Sequence, residues 1–240
     1  WVGTTNARLG ANVLHIQLEG SHKEAMAGYG ATASGVHART LMSGNIDAEK
    51  LSDLDKSFSG IRGEIYVKTF EQFAKSPKTS DVRKMIQEAE KTHKCKMDLV
   101  VIDYMELLDT AGNEQWRPND ERHRRTKIAD ELKDLAVEFD NVVLTATQAN
   151  DVPPSDVNNE SFVLSRHNVS EAKGIVKPLT MFLTINRTFE ESQSGRARIF
   201  VDKSRFTSTN HIFPIATDYG ADRFCDRKKT VELMTIQSEE

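Results

Sequence analysis

Only two cysteines, Cys95 and Cys225, occur in 240 residues, with neither metal-ligand spacing nor the numbers for a disulfide framework. They fit a reducing cytosol. No apolar run approaches the roughly 18 residues of a membrane span, and no secretory signal pattern opens the sequence, so a cytoplasmic protein with no membrane partner is expected. No G-x-S-x-G and no Cys/His arrangement suggests nucleophilic catalysis, and the seven histidines pair at no metal spacing. The net charge of −4 supplies no global basic field, so any contact with nucleic acid must be local. Internal repeats and low-complexity tracts are missing too. So is a phosphate loop of the form G-x-x-x-x-G-K-[S/T]; Lys173–Gly174 has the wrong order and context.

What remains is a globular composition, 28% charged and 38% hydrophobic, in a chain long enough for one large α/β domain with a real core. The organising stretch is M-D-L-V-V-I-D-Y-M-E-L-L at 97–108. Leu99, Val100, Val101 and Ile102 read as a strand buried on both faces of a parallel sheet, ending in Asp103. In open α/β sheets ligands sit beyond the carboxyl ends of the strands, where an acid can hold Mg²⁺ against a phosphate. An isolated strand-end Asp serves equally well as a turn cap.

The rest of the chain falls into order around it. A helix over residues 2–9 is closed by Gly10, and residues 12–18 alternate as a strand that runs out into Glu19. Ser21 can N-cap a helix over 23–30, within a stretch from 25 to 42 that looks helical. A short helix is expected over 47–54 and a strand over 63–70. Thr79 or Ser80 caps a helix over 81–93, with Val82, Met85, Ile86 and Ala89 on one face. Residues 109–119 read as an exposed loop. The helix over 120–140 carries an Ile128, Leu132, Leu135, Ala136 and Phe139 stripe, and a strand over 141–147 ends in Gln148. A polar loop spans 151–168, followed by strands over 179–186, 196–202 and 211–215. This is the order of a mostly parallel sheet with an antiparallel edge at its C-terminal end.

Three strands thus end in Glu19, Asp103 and Gln148. On one edge they could divide the work of phosphate chemistry: Glu19 orienting and deprotonating water, Asp103 holding Mg²⁺, Gln148 sensing a γ-phosphate. Polar strand ends with no such role are the plain alternative.

The wording of these blocks adds a resemblance. N-V-L-H-I-Q-L-E-G-S resembles the strand and catalytic glutamate of DnaB-type replicative helicases, and L-V-V-I-D-Y-M-E-L-L their Walker B strand. I-A-D-E-L-K-D-L-A-V-E-F running into N-V-V-L-T-A-T-Q-A-N is similar to the family's next helix and glutamine strand, and F-V-D-K-S-R resembles its K-x-R element. The blocks keep family order over nearly all of the chain. The resemblance implies a RecA-type motor, usually a homo-hexameric ring with ATP and Mg²⁺ between subunits, working on single-stranded DNA with a primase or helicase loader. Glu19, Asp103 and Gln148 would act in one subunit, and Lys203 and Arg205 would reach the γ-phosphate of its neighbour. A solvated hairpin tip is the alternative for the last two.

In the family the phosphate loop precedes the helix represented here by residues 2–9. The expectation is therefore a motor domain over 1–230 that lacks this loop, binds ATP poorly or not at all as given, and comes from a phage-type relative in a bacterial host, with an acidic tail at 231–240. For DNA the candidates are two loops. One is 109–119 with Arg117, Arg122, Arg124 and Arg125, where Trp116 is a packing anchor or a base-stacking platform. The other is 165–177 with Arg166, His167, Glu171, Lys173, Gly174 and Lys177. Two other readings stay open. One is a RecA/KaiC-like recombinase or clock-type ATPase, and the other is a degenerate module that assembles or binds DNA without turnover.

Overall fold

The computed structural model describes residues 1–70, 76–169 and 172–226. Their contacts divide the chain into two compact units, Trp1–Thr147 and Gln148–Glu240.

The first unit is built on four parallel strands in the order β2-β1-β3-β4, with β1 at Val13–Gln17, β2 at Ile65–Thr69, β3 at Leu99–Asp103 and β4 at Val142–Thr145. Helices α1 (Val2–Arg8), α2 (His22–Ser34), α3 (Ala38–Ser43), α4 (Ala48–Ser59), α5 (Thr79–His93) and α6 (Glu121–Glu138) connect and flank them. The two middle strands bury almost everything they carry: Val13, Leu14 and Ile16 on β1, and Leu99, Val100 and Ile102 on β3. The run Leu99–Ile102 of β3, mostly β-branched and with no polar alternation, suits a sheet covered on both faces. The stripes expected on α5 and α6 point inward, with Val82, Ile86, Ala89, Ile128, Leu132 and Leu135 buried. Gly63 is demanded by a close approach: a Cβ there would lie 2.1 Å from the Ala11 carbonyl oxygen.

Local chemistry explains where the helices depart from expectation. The helical stretch from 25 to 42 breaks at Gly35, which takes the left-handed C-cap position with φ 83°, and resumes at Ala38. Asp47 caps α4, its carboxylate accepting from the Lys50 amide at 2.8 Å, and the helix runs on to Ser59, past the expected end at 54.

The second unit holds an antiparallel sheet, β5-β6-β7-β8, with β5 at Met181–Asn186, β6 at Arg196–Ser204, β7 at His211–Asp218 and β8 at Arg223–Asp226. The antiparallel strands expected at the C-terminal end are present as a sheet of their own. Two short helices, α7 (Ala172–Val176) and α8 (Phe189–Gln193), accompany it. Phe182 on the inner face packs with Val169, Val176 and Leu179. The outer face carries a directly paired row, Ile185–Ile199–Phe213, whose outer members are 52% and 53% exposed. Residues 231–240, expected as an acidic tail, lie outside the described residues.

Candidate functional site

The parallel register decides where the candidate acids meet. Gln17 is the partner of Asp103 across β1 and β3, and the Leu18 amide donates to the Asp103 carbonyl at 3.0 Å. Asp103 therefore closes its strand level with Gln17, two positions before Glu19 on the neighbouring one. Both acids are exposed at the carboxyl edge of the sheet.

The turn that carries Glu19 is fixed by its neighbours. The Gln17 side-chain amide donates to the Glu19 carbonyl. Gly20 follows with φ 90°, wedged where a Cβ would meet the Glu24 carboxylate at 3.0 Å and the Gln17 amide at 3.1 Å. Ser21 and Glu24 then form a reciprocal capping box that starts α2, with the Ser21 amide donating to Glu24 at 2.6 Å. These hydrogen bonds hold the Glu24 carboxyl below its ordinary range.

Beneath this edge His15 sits against Tyr29, Nδ1 3.0 Å from the phenol oxygen. Gly3 leaves room for that ring, since a Cβ there would lie 2.6 Å from the hydroxyl. Burial holds the His15 imidazole below its ordinary pKa, partly offset by the negative charge of Asp103. Burial also pushes the Tyr29 phenol well up.

Glu106, which the sequence reading did not single out, ties the ends of β3 and β4 together. Its side chain is 10% exposed, lies 4.0 Å from Arg125 and accepts from the Thr147 hydroxyl. Thr145 Oγ1 donates to the Ile102 carbonyl at 2.9 Å, which pins the end of β4 to β3.

Gln148, Lys203 and Arg205 belong to the second unit, so the candidates brought together at one sheet edge are Glu19 and Asp103. Lys203 donates from Nζ to the carbonyls of Val176 and Lys177, at 2.7 and 2.8 Å, at the end of α7. Arg205 is exposed just past β6, its amide donating to the Thr180 carbonyl at 3.0 Å.

The candidate DNA-binding cations divide into two kinds. Arg117 and Arg122 are exposed. Arg124 is held by Glu121 through two hydrogen bonds of 2.8 and 2.7 Å and also reaches the Leu108 carbonyl. Arg124, with Arg125 behind it, brings the Glu121 carboxyl down to about 2 against the effect of partial burial. Arg166 grips the buried Asp202 carboxylate from Nε and Nη2, at 2.9 and 2.8 Å. Trp116 donates from its indole to Thr110 at 3.4 Å and walls a cavity of about 490 Å³ with Leu107, Arg117 and Arg124. Gly174 and the backbone of Lys173 lie in α7, whereas Glu171 lies outside the described residues.

Among the described residues no three His, Cys, Asp or Glu side chains cluster as a metal cage. One or two exposed carboxylates at a strand end are the donor set of a Mg²⁺ that takes its remaining ligands from water and phosphate, and Asp103 fits that description.

Comparison with known proteins bears on the fold and the family. The ATPase domain of a phage helicase superposes with a TM-score of 0.73 at 16% identity, covering 93% of this chain and 77% of that one. A DnaB-like replicative helicase, solved for its interactions with primase, gives 0.72 at 17% identity, covering 93% of this chain. The chain spans about half the length of that helicase, 53%. At these identities the likeness is one of fold, a RecA-like parallel sheet flanked by helices. No curated protein matches the chain. The sequence itself matches the model of the DnaB-like helicase C-terminal domain over residues 3–215. With nine-tenths of its length accounted for in that way, the chain belongs to the DnaB-like helicase C-terminal domain family.

Proposed function

We propose that this chain is part of the ATP-driven motor of a hexameric replicative helicase that moves along single-stranded DNA and unwinds duplex. The observation that carries the reading is the pair of exposed carboxylates, Glu19 and Asp103, at the carboxyl ends of adjacent parallel strands. Glu19 accepts the proton of the attacking water and orients it. Asp103 would hold Mg²⁺, and the ion would supply positive charge to offset that of the phosphate. Gln148 senses the γ-phosphate. Lys203 and Arg205 act on the nucleotide of the adjoining subunit, where a cation supplied from outside stabilises the charge that develops during transfer.

Single-stranded DNA runs along the loops at 109–119 and 165–177. Arg117, Arg122, Lys173 and Gly174 follow its phosphates without reading bases, and Arg124 and Arg166, tied to Glu121 and Asp202, hold the loops in shape. A primase or a loader completes the assembly in a bacterial cytoplasm, a phage-infected one if the gene is phage-borne.

Glu19→Gln in the full-length gene product tests the reading. ATP turnover should fall to background while nucleotide binding persists, and unchanged turnover removes Glu19 from its role. A second reading is a non-hydrolysing assembly or DNA-binding module. DNA binding by a full-length product that binds no nucleotide would select it.

A further inference from the structure

The hairpin between β6 and β7 ends in a tip that is ordered and yet carries its largest side chain in water. Phe206 is 82% exposed, more than any other large apolar side chain among the described residues. The backbone beneath it is fixed. The Ser204 hydroxyl accepts from the amides of Phe206 and Thr207, at 3.1 and 3.0 Å, and from the Thr207 hydroxyl at 2.9 Å. Arg205 is anchored on the Thr180 carbonyl, and the Asn210 amide closes the returning arm on Val201 at 2.8 Å. Asn210 takes a left-handed φ of 64° there, and Ser208 pairs with His211 at 2.7 Å. Further along the returning strand Ile212 and Phe213 are 48% and 53% exposed.

A rigid turn that presents an aromatic ring beside a guanidinium has the composition of an interface anchor. Little conformational entropy is left to lose on docking, and aromatic and arginine side chains dominate the energetics of protein contacts. The hairpin's own packing covers little of Phe206, so most of its apolar surface is open to a partner.

We infer that Phe206 seats the hairpin on a second copy of this chain and thereby fixes where Arg205 lies in that copy. The inference rests on the reading of Arg205 as acting in trans. Phe206 is its chain neighbour, so a surface that receives the guanidinium also meets the ring. Phe206 is a positioning residue and touches no nucleotide.

The test uses the full-length gene product with Phe206→Ala, Phe206→Leu and Arg205→Ala. Assembly is followed by sedimentation velocity across a concentration series, and ATP turnover is measured on the same samples. Phe206→Ala should raise the half-assembly concentration about tenfold or more, and Phe206→Leu should restore most of it. Turnover of the alanine variant should return once protein concentration forces assembly. Arg205→Ala should assemble normally and fail to turn over. Normal assembly of Phe206→Ala overturns the anchor, and if Arg205→Ala is still dead the trans reading survives without it. Disassembly of Phe206→Ala with full turnover in assembled Arg205→Ala leaves the anchor and removes the finger. A loss of affinity for single-stranded DNA in Phe206→Ala at unchanged assembly overturns the proposal in favour of base stacking.

Discussion

The two sheets of this protein solve the same burial problem in different ways. In the parallel sheet β1 and β3 are dry on both faces, so neighbouring residues such as Leu14 and Val13, or Val100 and Leu99, are all committed to packing. Apart from His15, held against Tyr29 inside β1, the polar residues gather toward the carboxyl ends, where Glu19 and Asp103 stand. In the antiparallel sheet β5 alternates strictly. Phe182, Thr184 and Asn186 are buried, while Met181, Leu183 and Ile185 are 43–52% exposed. Its inner face takes polar groups as well: Asn186 donates to Thr184 Oγ1 at 2.9 Å, and Arg198 meets Glu191 at 2.8 Å with both side chains nearly enclosed. One sheet is a scaffold with a working edge, and the other is a platform whose two faces do different jobs.

Variants can break or sharpen that contrast. The largest effect is expected at Arg198. Replacing it by alanine leaves the Glu191 carboxylate enclosed without its cation, which costs about 3–5 kcal/mol, and it also releases the 160–162 backbone carbonyls that the guanidinium grips. A loss under 1 kcal/mol in urea unfolding would mean that water reaches Glu191. Next comes a matched pair. Ile102→Ala in β3 should cost about 2–5 kcal/mol, whereas Leu183→Ala on the outer face of β5 should stay within about 0.5 kcal/mol. Equal losses would show that the outer face is covered in solution, ending the contrast.

Acidification should separate the two regions by smaller steps. His15, in the parallel unit, has a lowered pKa, so its contribution is complete above about pH 6.5 and declines as pH falls, because the unfolded imidazole takes its proton first. Glu121 is depressed to about 2 by Arg124 and Arg125, and Glu191 is depressed by Arg198 against the opposing effect of burial. Their contributions are present above the ordinary carboxylate range and are lost below it, for Glu121 progressively toward about pH 2. Amide protection factors, measured against the intrinsic exchange rate at each pH, should therefore fall in β1 before they fall in β6 as pH is lowered from neutrality. Simultaneous loss, or β6 first, would contradict this.

The elements that could be read from sequence are those whose own residues carry the pattern. L-V-V-I needs no partner to look like a buried strand, and Ser21 with Glu24 announces a helix start by spacing alone. β8, R-F-C-D, has no such pattern and exists because it pairs with β7. α8 was legible in principle, since Thr188 and Glu191 repeat the capping box at the same spacing, but five residues are too few for an apolar stripe. Among site residues, the strand ends at Glu19 and Asp103 follow from where the apolar runs stop. Glu106 escapes because only contact with Arg125 and Thr147 marks it out. Arg124 has its acid three residues away, within the reach of a sequence pattern, while Arg166 finds Asp202 thirty-six positions along the chain.

The ammonium of Lys203 rests on the carbonyls of Val176 and Lys177 at the end of α7. To serve an anion elsewhere it must let those oxygens go, and they then need water in its place. Whatever calls Lys203 away thus loosens the end of the segment that carries Lys173 and Gly174. The strand and the short helix share one ammonium, which cannot both close the helix end and be drawn away from it.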